Sequence, residues 1–504
     1  MQTENKVTLF RKYWVDLTFL FVVILLFFLF GYYNHFSDGP GGIHYIRQTD
    51  SLAFIDHYQE NDYNFFKPGT LNLDSEDGNA ACEFPAIYYL TSFLYAGFGK
   101  HFFFLKAINL LISLYGLFHL LKLAEKLLKD KVYAILATLF FFTSTIYNYY
   151  IFNFLPDAAA LGLTLIGWHL AYIAYQKRSA SWLKPFILFT LAGLIKVTYF
   201  ISPIAIVGFL LYENLLDKKR LHSLLPLLKW FGISTLIIVL WNLYVVFFNN
   251  YYETEYFTIG ARPIWGMPES EVSKTWDHIF NYWFTDYLAH SSHHLIWAVL
   301  VLQLVFIKKI KKYAVLLGLL SLGAICYFLL FFSQFKDHDY YALTLFPILA
   351  GLLIGGIAMI KVLTQNKIIH LTTKALLTVI ILTGINYSRN KVYNRLENRD
   401  NVISNMGIHL ETQKEAVEKV IPEESNLLII EDLSKNGGFI SLDRKGWTLP
   451  STEYFTKDTL DHYLNNNLDF IISYRHNSSK LDPLIKSYSE VLCDSLITIV
   501  KVEP

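Results

Sequence analysis

The sequence predicts an α-helical integral membrane protein with about eleven transmembrane helices, followed by a small extracytoplasmic α/β domain. Three observations carry that expectation. Of 504 residues, 54% are hydrophobic and only 17% charged, whereas a soluble chain would be about a quarter charged. Apolar runs of the roughly 20 residues needed to cross about 30 Å of hydrocarbon recur up to residue 387. Beyond 388 the composition turns to charged and Asn-rich stretches broken by short apolar runs. The 43 basic and 42 acidic residues nearly cancel, which argues against a nucleic-acid footprint. Three cysteines exclude a disulfide scaffold.

The runs lie near 14–33, 101–121, 131–150, 155–175, 229–248, 294–308, 313–332, 340–361 and 371–387. The first is too long for a signal-peptide core and lacks a small-residue cleavage site, so it reads as a helix. The stretch 182–213 carries basic groups at both ends, which one straight helix would put on opposite sides. A break near Ala192–Tyr199 divides it into two helices and completes the eleven. Basic residues at the N-terminus and at 122–131, 177–184, 218–229, 308–312 and 361–374 then share one side, and these segments hold 21 of the 43 Lys and Arg. By the positive-inside rule that side is cytoplasmic. The N-terminus is therefore expected inside a cytoplasmic (inner) membrane. Residues 34–100, 249–293 and 388–504 are expected outside, with the membrane domain over 1–387. The aromatic segment 84–98 reads as an interfacial helix. In the tail, 427–430, 439–442, 469–474 and 495–502 read as strands separated by helical material at 406–420 and 455–465.

Ionisable residues at the outer ends of the spans are the candidates for chemistry. Arg47 and Asp50, three residues apart, share a helical face. Asp50 could take a proton from an acceptor hydroxyl and Arg47 could grip a phosphate with its planar fork; the alternative is a surface ion pair. Glu83, beside the aromatic segment, and Asp157, after Pro156 at a helix start, are expected at the same membrane surface as Asp50. For Asp157 the alternative is a favourable charge at a helix N-terminus. Lys196 lies within the broken run, where an ionisable group is costly and usually meets a cavity or a partner, unless it snorkels to the interface. His338, Tyr340 and Tyr341 mark the mouth of the tenth span, the histidine suited to a phosphate or metal and the tyrosines to a sugar pocket or an aromatic belt. Glu83, Asp157 and one histidine have ligand chemistry compatible with a divalent metal but no diagnostic spacing. His290, His293 and His294 read as interfacial. No glycine-rich loop points to a nucleotide cofactor.

The stretches RQTD (47–50), EFPAIYY (83–89), LPDAAALGLTL (155–165), LAGLIKVTYFISP (191–203) and HDYYALTLFP (338–347) together resemble membrane glycosyltransferases of the GT-C type. Within that group the chain is similar to bacterial relatives of protein O-mannosyltransferases and of the transferases that put aminoarabinose on lipid A. The resemblance implies an inverting enzyme at the outer membrane face, moving a sugar from a polyprenyl-phosphate donor to a lipid, glycan or protein acceptor. It implies Asp50 as catalytic base, and Glu83 and Asp157 near the acceptor or a metal. Arg47, Lys196 and His338 are the candidates for the donor phosphate, and Tyr340 and Tyr341 for the substrate pocket. Ser51 follows Asp50 where the protein-mannosylating branch carries a second acid, so that branch fits less well. The rival reading is a transporter or flippase of a polar or lipid-linked substrate. It accounts for the broken helix and Lys196, but not for the large loops gathered on one side.

Overall fold

The computed structural model describes residues 2–177, 181–216, 221–254, 256–257, 260–475 and 478–502. Arg178, Lys218, Lys219 and Arg220, from two of the basic clusters, lie outside the described residues. Seven helices among the described residues are long and apolar enough to cross a membrane. They are Phe103–Leu128, Asp157–Gln176, Val197–Leu216, Leu224–Tyr251, Lys311–Leu330, Asp339–Leu363 and Lys367–Glu397. Two bent pairs, Lys131–Thr143 with Thr145–Ile151 and Glu269–Tyr287 with His290–Val305, raise the number to nine. The chain is a multi-pass membrane protein of seven to nine spans by length and composition, against about eleven expected. The difference is two shorter apolar helices, Tyr13–Leu29 and Leu183–Ile195, which fall below the usual spanning length of about 20 residues.

The chain folds as two compact units. One comprises Met1–Phe36, Lys106–Asn242 and Ile259–Asn394; the other comprises Ser37–Leu105, Leu243–Thr258 and Arg395–Pro504. In the first, helices Phe103–Leu128 and Asp157–Gln176 touch through glycines: a Cβ on Gly116 would lie 2.4 Å from the Cα of Gly162. Small residues give such close backbone approach, and with it the dispersion contact that holds helices together in lipid. The expected break occurs at Lys196. Helix Leu183–Ile195 ends with the Lys196 amide bonded to Ala192 (2.9 Å), Lys196 is extended (φ −151°, ψ 110°), and a 3₁₀ turn over Val197–Phe200 leads into helix Ile201–Leu216.

The second unit is built on a five-stranded sheet among its described residues. The strands are β1 (Asn426–Ile430), β2 (Lys445–Leu449), β3 (Phe470–Tyr474), β4 (Ser489–Cys493) and β5 (Ile497–Lys501). Their spatial order is β2-β1-β3-β5-β4, with β1 parallel to β2 and β3 and the other pairs antiparallel. Leu427 through Ile430 are all fully buried, so both faces of β1 are covered, as its unbroken apolar run requires. One face packs Leu428, Ile430, Trp447, Tyr463 and Ile471 into a core with Leu73 of the first large loop. The FISL run at 439–442, expected as a strand, belongs instead to the helix Gly437–Leu442. The β2 edge is not left open. The Leu73 amide bonds to the Gly446 carbonyl (2.7 Å), and the Trp447 indole donates to the Leu73 carbonyl (3.1 Å).

Candidate active site

In the sheet-containing unit the helix Tyr45–Glu60 is buried along most of its length, Gln48 to Tyr58 without interruption. Polar side chains on so buried a helix need partners. Arg47 and Asp50 face the same way, as their spacing requires. The Arg47 Nη1 lies 3.5 Å from the Asp50 carboxylate, and its Nη2 donates to Glu83 Oε1 at 2.7 Å. Glu83 also accepts the Tyr88 hydroxyl at 2.7 Å, and Tyr88 lies 3.1 Å from the Ser51 hydroxyl. Phe257 stands beneath the guanidinium, 5.4 Å from its centre, which adds a cation–π contact. Thus Arg47, Asp50 and Glu83 form one cluster.

The tail completes it with a residue that sequence reasoning missed. Asn436 donates from Nδ2 to Asp50 Oδ1 (2.9 Å) and lies 3.3 Å from the Tyr256 hydroxyl, while its Oδ1 accepts the Asn72 amide at 3.2 Å. Asn436 is fully buried and ends the loop before helix Gly437–Leu442. That loop is fixed by Asp432, which accepts from the Ser434 and Gly438 amides. A Gly-Gly pair after an apolar strand marks a turn, yet nothing local announces that the preceding asparagine meets residue 50.

Burial pushes the Asp50 carboxyl up to about 6, against the opposing pull of the Arg47 charge and the Asn436 hydrogen bond. Burial also raises the Glu83 carboxyl, but Arg47 and the Tyr88 hydrogen bond outweigh it and hold that group below its ordinary value. Two carboxylates sharing one guanidinium thus differ in basicity. Asp50 is the one suited to exchanging a proton near neutrality.

In the membrane unit Asp157, the first residue of its helix after Pro156, pairs with Lys196. The Lys196 ammonium also lies 4.6 Å from the ring centre of Tyr340 and 4.0 Å from that of Tyr341. The His338 ring stacks on Tyr341 with centroids 5.5 Å apart. The five predicted residues Asp157, Lys196, His338, Tyr340 and Tyr341 therefore gather in one place. Tyr199 donates to the Asp157 carbonyl at 2.9 Å, and fully buried Asp339 accepts the Tyr150 hydroxyl at 2.5 Å. Asp339 is a second residue that the sequence reading passed over.

The histidine trio is engaged locally. His293 stacks on Phe284 at 3.9 Å and bonds its carbonyl oxygen at 2.7 Å, while His294 bonds the His290 carbonyl at 2.8 Å. Among the described residues no group of three or more His, Cys, Asp or Glu is arranged to hold a metal ion. Glu83 already meets a guanidinium and a phenol, so no step below is routed through a metal.

Residues 83–244 match a family described as dolichyl-phosphate-mannose-protein mannosyltransferase. Among solved structures, ArnT from Cupriavidus metallidurans in the apo state is 14% identical, with a TM-score of 0.57 over 97% of this chain and 98% of that one. ArnT bound to undecaprenyl phosphate is 13% identical, with the same TM-score and coverage. The Archaeoglobus fulgidus oligosaccharyltransferase, in complex with zinc and sulfate, is 13% identical at a TM-score of 0.54, over 90% of this chain and 68% of that one. No curated protein sequence matches the chain. These likenesses assign the chain a GT-C-like fold.

Proposed function

We propose that the protein is a membrane glycosyltransferase. It moves a sugar, with inversion, from a polyprenyl-phosphate donor to a lipid, glycan or protein acceptor at the outer face of the cytoplasmic membrane. The observation that carries this reading is the buried Arg47–Asp50–Glu83 cluster, lying outside the spans of a fold shared with a protein solved bound to undecaprenyl phosphate. Asp50 in its ionised form accepts the proton of the acceptor hydroxyl as that oxygen bonds to the anomeric carbon. The bond from that carbon to the phosphate oxygen breaks, and its electron pair leaves with the polyprenyl phosphate. Because phosphate is a good leaving group, the protein's part is positioning, proton acceptance and charge stabilisation. Arg47 orients Asp50 and is one candidate for the phosphate; Lys196 and His338 are the others. Glu83 and Asp157 are assigned to the acceptor side, and Tyr340 and Tyr341 to the substrate pocket.

We read the topology as eleven crossings, the nine above with Tyr13–Leu29 and Leu183–Ile195 added. This puts the N-terminus in the cytoplasm and the tail outside. A single cysteine at position 400 should react with an impermeant reagent on intact cells; protection until permeabilisation would require an even count. For activity, purified protein in lipid is given a panel of polyprenyl-phosphate-linked sugars with cell-envelope acceptors, and release of free polyprenyl phosphate is measured. Turnover is expected from the native chain and none above background from D50N. Near-native turnover by folded D50N would overturn the assignment of Asp50.

A further inference from the structure

Away from Asp50, the sheet-containing unit holds a cavity of about 730 Å³, within the range of small-molecule sites. Most such sites are apolar; this one sets polar side chains around Leu73 and Trp447. Asn61, Asn426 and Asn466 bring amides, and His57 and His462 bring imidazoles. Four carboxylates, Glu60, Asp74, Glu76 and Asp77, face two lysines. Both lysines already have acidic neighbours, Lys445 with Glu60 and Lys67 with Asp77 at 3.9 Å. The acidic excess disfavours an anion, and no group of three metal-ligating side chains forms among the described residues.

His57 forms part of the cavity wall. It is 3% exposed, lines the cavity, and its Nδ1 has no hydrogen-bond partner among the described residues. Burial, followed by the Lys445 charge, lowers its basicity to about 4, so it is neutral near pH 7. The neutral imidazole carries one donor and one acceptor nitrogen, in keeping with the mixed polar lining. The walls are firmly held: Thr70 bonds the Gly78 carbonyl (2.8 Å), Ser75 the Asn79 carbonyl (2.8 Å), and the Asn426 amide bonds Asp469 (2.8 Å).

We propose that this cavity is a second binding site, taking a glycan that bears neither phosphate nor carboxylate. Amides, carboxylates and imidazoles match the paired donor and acceptor character of sugar hydroxyls, and the acidic excess turns away an anionic ligand. The assignment does not depend on transfer chemistry at Asp50.

The test is saturation-transfer NMR on the full chain in nanodiscs, with maltotriose, mannotriose and chitotriose as probes and trigalacturonate as the anionic control. At least one neutral trisaccharide should bind with a dissociation constant of about 1 mM or tighter, and trigalacturonate more weakly. N466W, which fills the cavity from its exposed rim, and H57F should each weaken binding at least about tenfold. D50N should bind like the native chain, so loss of transfer and loss of this site are separable. Absence of binding by all three neutral sugars would overturn the proposal. So would equal binding of trigalacturonate, or binding indifferent to N466W.

Discussion

The two ionic clusters solve the same electrostatic problem differently. At Asp157 one cation meets one carboxylate, and the ammonium is enclosed by tyrosine rings. At Asp50 one guanidinium is divided between two carboxylates, with Asn436 supplying a neutral donor. At Asp157 the carboxylate has a cation to itself, whereas at position 50 the more buried of two acids shares one and is only partly compensated. The lesson is that a shared cation can make one of two neighbouring carboxylates a working base while the other stays a fixed anion.

The largest effect expected from breaking this contrast is that of D50N. Loss of a general base costs about 10²–10⁴-fold, read as turnover in folded, membrane-embedded protein. R47A comes next, because both carboxylates lose their cation. Stranding buried charge costs about 3–5 kcal/mol, and the value should fall at or below the lower end because the Arg47 side chain is 23% exposed. Thermal unfolding in detergent measures it, and R47K should recover only part, since an ammonium cannot fork between two acids. K196E sets a second carboxylate against Asp157 at the other cluster and should weaken donor binding about tenfold, or about 1.4 kcal/mol. Unchanged affinity for a polyprenyl-phosphate sugar would remove Lys196 from the donor site.

The smallest effect is the most discriminating. With Asp50 as the proposed base, kcat/KM should fall as pH drops through about 6. The stability linkage has the opposite sign: folding raises this carboxyl from 3.8 to about 6. Its contribution to stability is therefore full below about pH 4 and is lost as pH rises through 6. Removing the Asn436 donor in N436A should move the acid limb of the rate profile to higher pH and lower turnover severalfold at pH 6. An unmoved limb would reduce Asn436 to a structural contact.

Local physics made much of this visible in the sequence. The i,i+3 spacing placed Arg47 with Asp50, and basic groups at both ends of 182–213 marked a break near Ala192–Tyr199, which falls at Lys196. The apolar runs LLII and FIISY became β1 and β3. FISL misled because a four-residue apolar run has no period that separates a strand from a buried helix turn. The strands Lys445–Leu449 and Ser489–Cys493 were passed over because KGWTL carries a lysine and a glycine and SEVLC is a half-exposed edge. Asn436 could not have been found locally: it lies 386 residues from Asp50, and its partnership is a product of the tertiary fold.

The seam in which Leu73 bonds Gly446 and Asn72 bonds Asn436 sets a schedule for biogenesis. Its two sides leave the ribosome more than 360 residues apart, about 20–70 s at ordinary elongation rates. During that interval the first loop has helix Tyr45–Glu60 without its lid of tail residues, and the carboxylate at position 50 lacks its amide neighbour. Maturation is thereby tied to delivery of the final hundred residues, so a nascent chain stalled before them would have spans but an incomplete cluster around Asp50.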